Sequence, residues 1–346
     1  MFKIKKILVL IFILLNINGC SSVIYKSAYP TLNDGKYDSE FPYKGSSQEL
    51  EKIGKTVNRI NCIAFYKAYI FNYGTNIKRE QLTAEFLDKN ANSTGYFDKT
   101  SSGTATTIFS ENAKVGMLTC AHVVTFPDTI LSYFTDADGR FTEYLESVSI
   151  RDRQLTYVAG FPGTGEVEII KTDKEKDLAF LGKEFSKFDN TRYPVFPYPP
   201  GKAKELEWGS FVYVMGYPMN FKMVSKAIVS SPNMDGKGGF LLDAVVNRGF
   251  SGGVVLGIRD GIPNFELLGL IRSVPEEVEY ILQPEKLKSN AQYSPVVPYR
   301  GEAFAIQKEE LRYGIARVVP IEIISEFLSG NSEFFSEMGY IVKNFF

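Results

Sequence analysis

Residues 243–253 read DAVVNRGFSGG, Asp243 through Gly253. The apolar run that begins at Phe240 ends at Val246, and Asn247, Gly249, Gly252 and Gly253 are turn formers. The stretch is therefore the end of a strand followed by a tight, glycine-rich turn that presents one hydroxyl, that of Ser251. Such a turn can be an ordinary hairpin. What Ser251 becomes depends on the partners the rest of the chain can bring to it. The chain holds a single histidine, His122, in TCAHVV (Thr119–Val124), just after the strand-like Val115 to Leu118. Asp177 opens the apolar run DLAFL (Asp177–Leu181).

Cleaving a peptide bond with a serine needs an exposed hydroxyl, a base to take its proton, a carboxylate to orient that base, and donors for the developing oxyanion. Taken singly, a lone histidine in a β-rich chain is usually structural or a surface residue, and an aspartate before an apolar run is usually a turn residue. Together, His122, Asp177 and Ser251 stand in the order His, Asp, Ser, 55 and 74 residues apart. That is the chain order of the chymotrypsin arrangement and not of subtilisin or the α/β-hydrolases.

The resemblance is specific in its motifs. DAVVNRGFSGG resembles the active-site segment of the HtrA/Deg branch of trypsin-like serine proteases, TCAHVV is similar to that branch's histidine segment, and DLAFL to its aspartate segment. Val214 to Pro218 and Gly314 to Pro320 are weaker echoes. The resemblance covers most of residues 100–330. It implies a nucleophile at Ser251, a general base at His122, a tautomer-fixing carboxylate at Asp177, and an oxyanion hole made by the backbone N–H groups of Gly249 and Ser251. It puts Val245 and Val246 at the base and wall of the primary specificity pocket, implying small or aliphatic side chains before the scissile bond. Phe250 departs from the family, where trypsins carry an aspartate and the HtrA branch usually an asparagine, so activation by an ion pair with a cut N-terminus is not expected. Arg272-Ser273 stands where a small hydroxyl residue usually supports the aspartate. A second reading, a protease-like fold that no longer cleaves and serves as a membrane-tethered binding or chaperone module, rests on Phe250 beside the oxyanion hole. Cys120 invites a thiol-nucleophile reading, yet matches a small buried residue of the family.

Short β-branched and aromatic runs bounded by Gly, Pro, Asn or Asp recur at 60–72, 104–109, 145–150, 156–160, 166–170, 178–181, 211–215, 240–246, 253–258, 265–271 and 314–319. The Pro-rich 194–201 divides them. The expected fold is all-β, a chymotrypsin-like double β-barrel with a C-terminal helix. The first barrel is expected over about 55–185, the second over about 205–320, and the helix over 320–329. A short helix is expected from 46 to about 57, and 331–346 reads as a tail. Residues 275–312 replace a short loop and read as a lid or substrate clamp.

Lys3, Lys5 and Lys6 precede the apolar Ile7 to Leu15, which ends at Gly19-Cys20. The run is too short to span a bilayer and reads as an export signal over 1–19. Its end resembles a bacterial lipobox, which implies lipidation of Cys20, a membrane anchor there, and a tether over 20–50 in the cell envelope. The formal net charge of −1 is spread without a basic run, so nucleic acid is not an expected partner; a polypeptide substrate is. Beyond Cys20 only Cys62 and Cys120 remain, able to pair or to stay buried and free. With one histidine and no CxxC or HExxH, neither a metal site nor a cofactor is expected.

Overall fold

The structure, a computed structural model, describes residues 32–186, 193–273, 276–284, 296–301, 303–311 and 314–342. The apolar N-terminal run and Cys20 lie outside them. Strict alternation drives the first strand, β1 (Val57–Ile70), in which Ile60, Cys62, Ala64, Tyr66 and Ala68 face inward. It pairs antiparallel with β2 (Ser93–Glu111) along its whole length. Only the second half of β2 is buried, so its first half projects beyond the core. β3 (Lys114–Thr119), β4 (Thr129–Thr135), β5 (Phe141–Val158), β6 (Glu168–Asp173) and β7 (Leu178–Glu184) complete a seven-stranded sheet in the order β4-β5-β1-β2-β3-β7-β6. Its edges meet over three residues: Tyr157 bridges Glu166, Val158 N–H donates to Gly165 O at 2.8 Å, and Val167 N–H to Thr156 O at 2.8 Å. The N-terminal unit is thus an open sheet curled almost shut.

The second unit is a closed barrel. Its strands are β8 (Phe211–Gly216), β9 (Met223–Ser231), β10 (Phe240–Ala244), β11 (Val254–Ile258), β12 (Phe265–Ser273) and β15 (Gly314–Pro320), in the order β10-β15-β12-β11-β8-β9. Between β12 and β15, β13 (Glu276–Pro284) and β14 (Ala303–Leu311) form a separate two-stranded ribbon. The expected loop insertion is thus, in its described parts, an antiparallel pair. Its signal was diluted by the charges that alternate through EEVEYILQP. β4 and β9 were also unforeseen, because both are half-exposed and mix Ser, Thr and Lys with their apolar residues.

Among the described residues, α1 (Ser47–Gly54) precedes β1, α2 (Ala84–Asn90) lies between β1 and β2, and α3 (Ala121–Val124) is a single turn after β3. The C-terminal α4 (Ile321–Gly330) buries Ile321, Ile324, Phe327 and Leu328. The segment read as a tail instead carries a further helix, α5 (Ser332–Glu337), with Phe335 buried against Phe180 and Tyr340 edge-on to Phe109 and Phe180. Two aromatic rings, Phe335 and Tyr340, offset the ordering of those residues by leaving water. No helix of the described residues is long and apolar enough to cross a membrane.

The tether expectation is corrected from Tyr37 onward. Tyr37 is buried, bridges Arg259 and lies under its guanidinium at 4.1 Å, while Asp38 N–H donates to Ile258 O at 2.9 Å. Docking puts Asp38 in an awkward place. Its Oδ2 accepts Gly261 N–H at 3.1 Å, its Oδ1 is buried without a partner, and burial raises its carboxyl to about 6. The folded state therefore holds the proton more tightly than the unfolded chain, and stability falls as pH rises from about 4 to 6. Asp38→Asn is expected to stabilise the protein at pH 7.5 by about 1 kcal/mol, or about 2 °C in thermal midpoint, with the advantage vanishing near pH 4. Thermal melts of both proteins across that range check it; an advantage that is flat with pH would contradict the assignment.

Candidate active site

The loop between β10 and β11 and the turn after β3 face one another across the two β units. Thr104, in β2, holds them together. Its N–H donates to Ser251 O at 2.8 Å, its Oγ1 donates to Gly249 O at 2.8 Å and accepts from Tyr217 N–H at 2.9 Å, and its O accepts from Thr119 Oγ1 at 2.7 Å. Thr104 is fully buried and spends every polar group on this junction. Sequence reasoning missed it, because a threonine inside a strand carries no signal of a partner more than a hundred residues away.

His122 sits on α3, where Ala121, Val123 and Val124 are buried and the imidazole alone faces outward. Asp177 follows the turn out of β6 and has φ 54°, a left-handed conformation that aspartate tolerates better than most residues. Its carboxylate is buried and meets three donors. His122 N–H donates to Oδ1 at 2.9 Å, His122 Nδ1 lies 2.8 Å from Oδ2 and 3.0 Å from Oδ1, and Arg272 Nε lies 3.3 Å from Oδ2. A carboxylate that only accepts favours the tautomer of a neutral imidazole with its proton on Nδ1, which leaves the Nε2 lone pair for the cleft.

His122 and Ser251 line the same cleft, about 520 Å³, together with Asn61–Ile63, Thr100–Ser102, Val123, Asn220, Arg248 and Gly249. No hydrogen bond joins Ser251 to His122 in the structure. Such bonds commonly tighten only when substrate arrives. Gly249 has φ 100°, and a Cβ there would lie 2.3 Å from Tyr217 O, so no other residue fits. The Arg248 carbonyl accepts Met219 N–H at 2.9 Å. Across the planar trans peptide, Gly249 N–H must point the opposite way from that carbonyl, free of the bond that would otherwise claim the turn.

Phe250 makes no ion pair; its ring is buried in the second barrel's core. A Cβ on Gly216 would lie 2.8 Å from Phe250 Cδ1, so ring and backbone are in direct contact. The two valines are not where the resemblance put them. Alternation through β10 continues past its end, so Val246 is wholly buried in the core and Val245 is 70 % exposed. Neither lines the cleft, and a side chain with no accessible surface forms no pocket wall. Arg272 meets the aspartate.

Cys62 and Cys120 are unpaired and buried. Burial pushes the Cys62 thiol up to about 11 and the Cys120 thiol well above its ordinary value, and Cys120 Sγ–H donates to Ile271 O at 3.2 Å. Neither is a ready nucleophile. Cys120, His122 and Asp177 bring a sulfur, an imidazole nitrogen and a carboxylate oxygen within 4.8 Å of one another. That donor set suits a cation poorly, since the thiol is held protonated and the Arg272 guanidinium already faces the carboxylate.

No curated protein matches the chain. Among solved structures it is similar to the Rv3671c protease of M. tuberculosis in its active form, at 13% identity, TM-score 0.38, over 85% of this chain and 88% of that one. It is similar to the inactive form of the same protease at 12% identity, TM-score 0.38, over 84% and 97%. Deg5 matches at 16% identity, TM-score 0.35, over 67% and 88%. Residues 103–261, which contain His122, Asp177 and Ser251, match the trypsin-like peptidase domain, and the paired β units of this chain have the trypsin-like fold.

Proposed function

We propose that this protein is a serine endopeptidase that cleaves polypeptides through an acyl-enzyme, with Ser251 as nucleophile, His122 as general base and then acid, and Asp177 as the group that fixes the imidazole. The observation that carries this reading is the buried Asp177 carboxylate at 2.8 Å from Nδ1 of the chain's one histidine, whose other nitrogen is left for the cleft that Ser251 lines. His122 Nε2 takes the Ser251 proton as Oγ attacks the scissile carbonyl, and the imidazolium returns it to the leaving amine. The N–H groups of Gly249 and Ser251 receive the oxyanion. The acyl-enzyme is then released by water activated on the same nitrogen.

A fluorophosphonate probe tests this directly. Wild-type protein is expected to be labelled at Ser251, with labelling abolished in Ser251→Ala and reduced to background in His122→Ala. A second reading, a binding module on a protease-like fold, is favoured by the missing Ser251–His122 hydrogen bond. Absence of labelling by folded protein at every pH up to about 9, including the alkaline end where an ordinary imidazole is neutral, would select it and reject the enzyme.

A further inference from the structure

Asp177 Oδ2 is shared between two cationic or potentially cationic groups, His122 Nδ1 at 2.8 Å and Arg272 Nε at 3.3 Å. Arg272 reaches it because β12 is irregular there: Ile271 pairs with Val318 and Ser273 with Arg317, which leaves Arg272 out of the ladder. A bulge of this kind re-aims a side chain. The carboxylate end of the pair is 7 % exposed and the arginine side chain 46 %. Solvent therefore weakens the interaction without removing it. Among the described residues, the other titratable groups lining or flanking the imidazole are the protonated, buried thiols of Cys120 and Cys62, and Arg248 across the cleft; Thr100–Ser102 and Asn61 present none.

We propose that Arg272 is a positioning residue that acts on His122 through Asp177, holding the carboxylate against the imidazole and offsetting the negative charge that would otherwise make His122 a stronger base. A carboxylate beside an imidazole favours the imidazolium. A guanidinium on the same oxygen opposes that effect, so the base is neutral, and competent to accept a proton, at lower pH than the Asp–His pair alone would allow. The catalytic consequence rests on the protease reading; the electrostatic one does not.

One histidine in the chain makes the test direct. Proton NMR of the full chain reports a single titrating imidazole, that of His122. Arg272→Met, which removes the charge and keeps most of the length, is expected to raise its titration midpoint by about half a pH unit or more, while Arg272→Lys stays within about 0.2 of wild type. Arg272→Gln carries the same test should Arg272→Met not fold. In the active enzyme the acid limb of kcat/KM is expected to move upward by the same amount, with the kcat plateau reduced and KM little changed. An unmoved midpoint in a folded, charge-removed variant overturns the proposal even if turnover persists. Lack of turnover or labelling in wild type counts against the protease reading alone, since the imidazole titration still tests Arg272.

Discussion

Asp177→Asn is expected to cost about 10⁴-fold in kcat while leaving the fold intact. The size of the effect follows from which atoms the asparagine can satisfy. Its oxygen is held at the Oδ1 position, because His122 backbone N–H donates there at 2.9 Å. The amide nitrogen then takes the Oδ2 position, facing His122 Nδ1 and Arg272 Nε, both of which approach that atom as donors. A donor against Nδ1 forces that nitrogen to accept, which moves the ring proton to Nε2. The nitrogen that must take the Ser251 proton is then already protonated. Single-turnover kinetics on a peptide ester, with the imidazole nitrogen shifts recorded by NMR, check both halves. Retained kcat would mean that Asp177 does not set the tautomer, and the triad assignment would fall with it.

Phe250→Ala is expected to destabilise the protein by about 3–5 kcal/mol, with Phe250→Leu costing about 1–2. The ring is buried in the second barrel's core and in contact with the Gly216 backbone. Its removal leaves a cavity under the turn that carries Ser251. Phe250 N–H donates to Asn247 O at 3.1 Å and its carbonyl accepts Gly253 N–H at 2.7 Å, so the side chain anchors a turn that the backbone has already closed. The anchoring of this turn is hydrophobic. Phosphonate labelling of Phe250→Ala is expected to fall more than that of Phe250→Leu. Urea unfolding measures the stability loss, and a loss below about 1 kcal/mol would show that the ring is not what secures the turn.

The two variants separate what the site is from what holds it. In the proposed mechanism Asp177 works by telling one nitrogen from another; Phe250 works by filling volume. Thr104 belongs with the second kind, since its bonds to Ser251, Gly249, Tyr217 and Thr119 fix the distance between the two β units. These supports give the expectation that damage to the site can arise from residues with no chemistry of their own.

Much was legible from residues alone. Glycine at 249 and 252, alternation in β1, and the apolar runs of β7, β8 and β11 are local properties, and each of those elements forms where its residues say it should. The all-β character and the C-terminal helix belong to this class; the candidate triad was nameable there too, because the proposed chemistry demands particular side chains in a particular order. What was not legible depends on partners remote in the chain. Tyr37 and Asp38 lie in a stretch without apolar periodicity, and partners far along the chain order them: Phe211 in β8, Ile258 and Arg259 at the end of β11, and Glu266 in β12. Val246 was assigned to a pocket by likeness, but its direction is set by an alternation that runs on from β10 into the barrel interior.

Arg272 shows the division most sharply. From the sequence it is one arginine where a hydroxyl residue was expected; a slip of one residue in the pairing of β12 with β15 turns it onto Asp177. Residue types and their order along the chain determined which reaction the protein could be built for. Register, bulges and the approach of one sheet to the other decided which charges face the histidine, because such contacts are formed by residues that the chain keeps far apart until it folds.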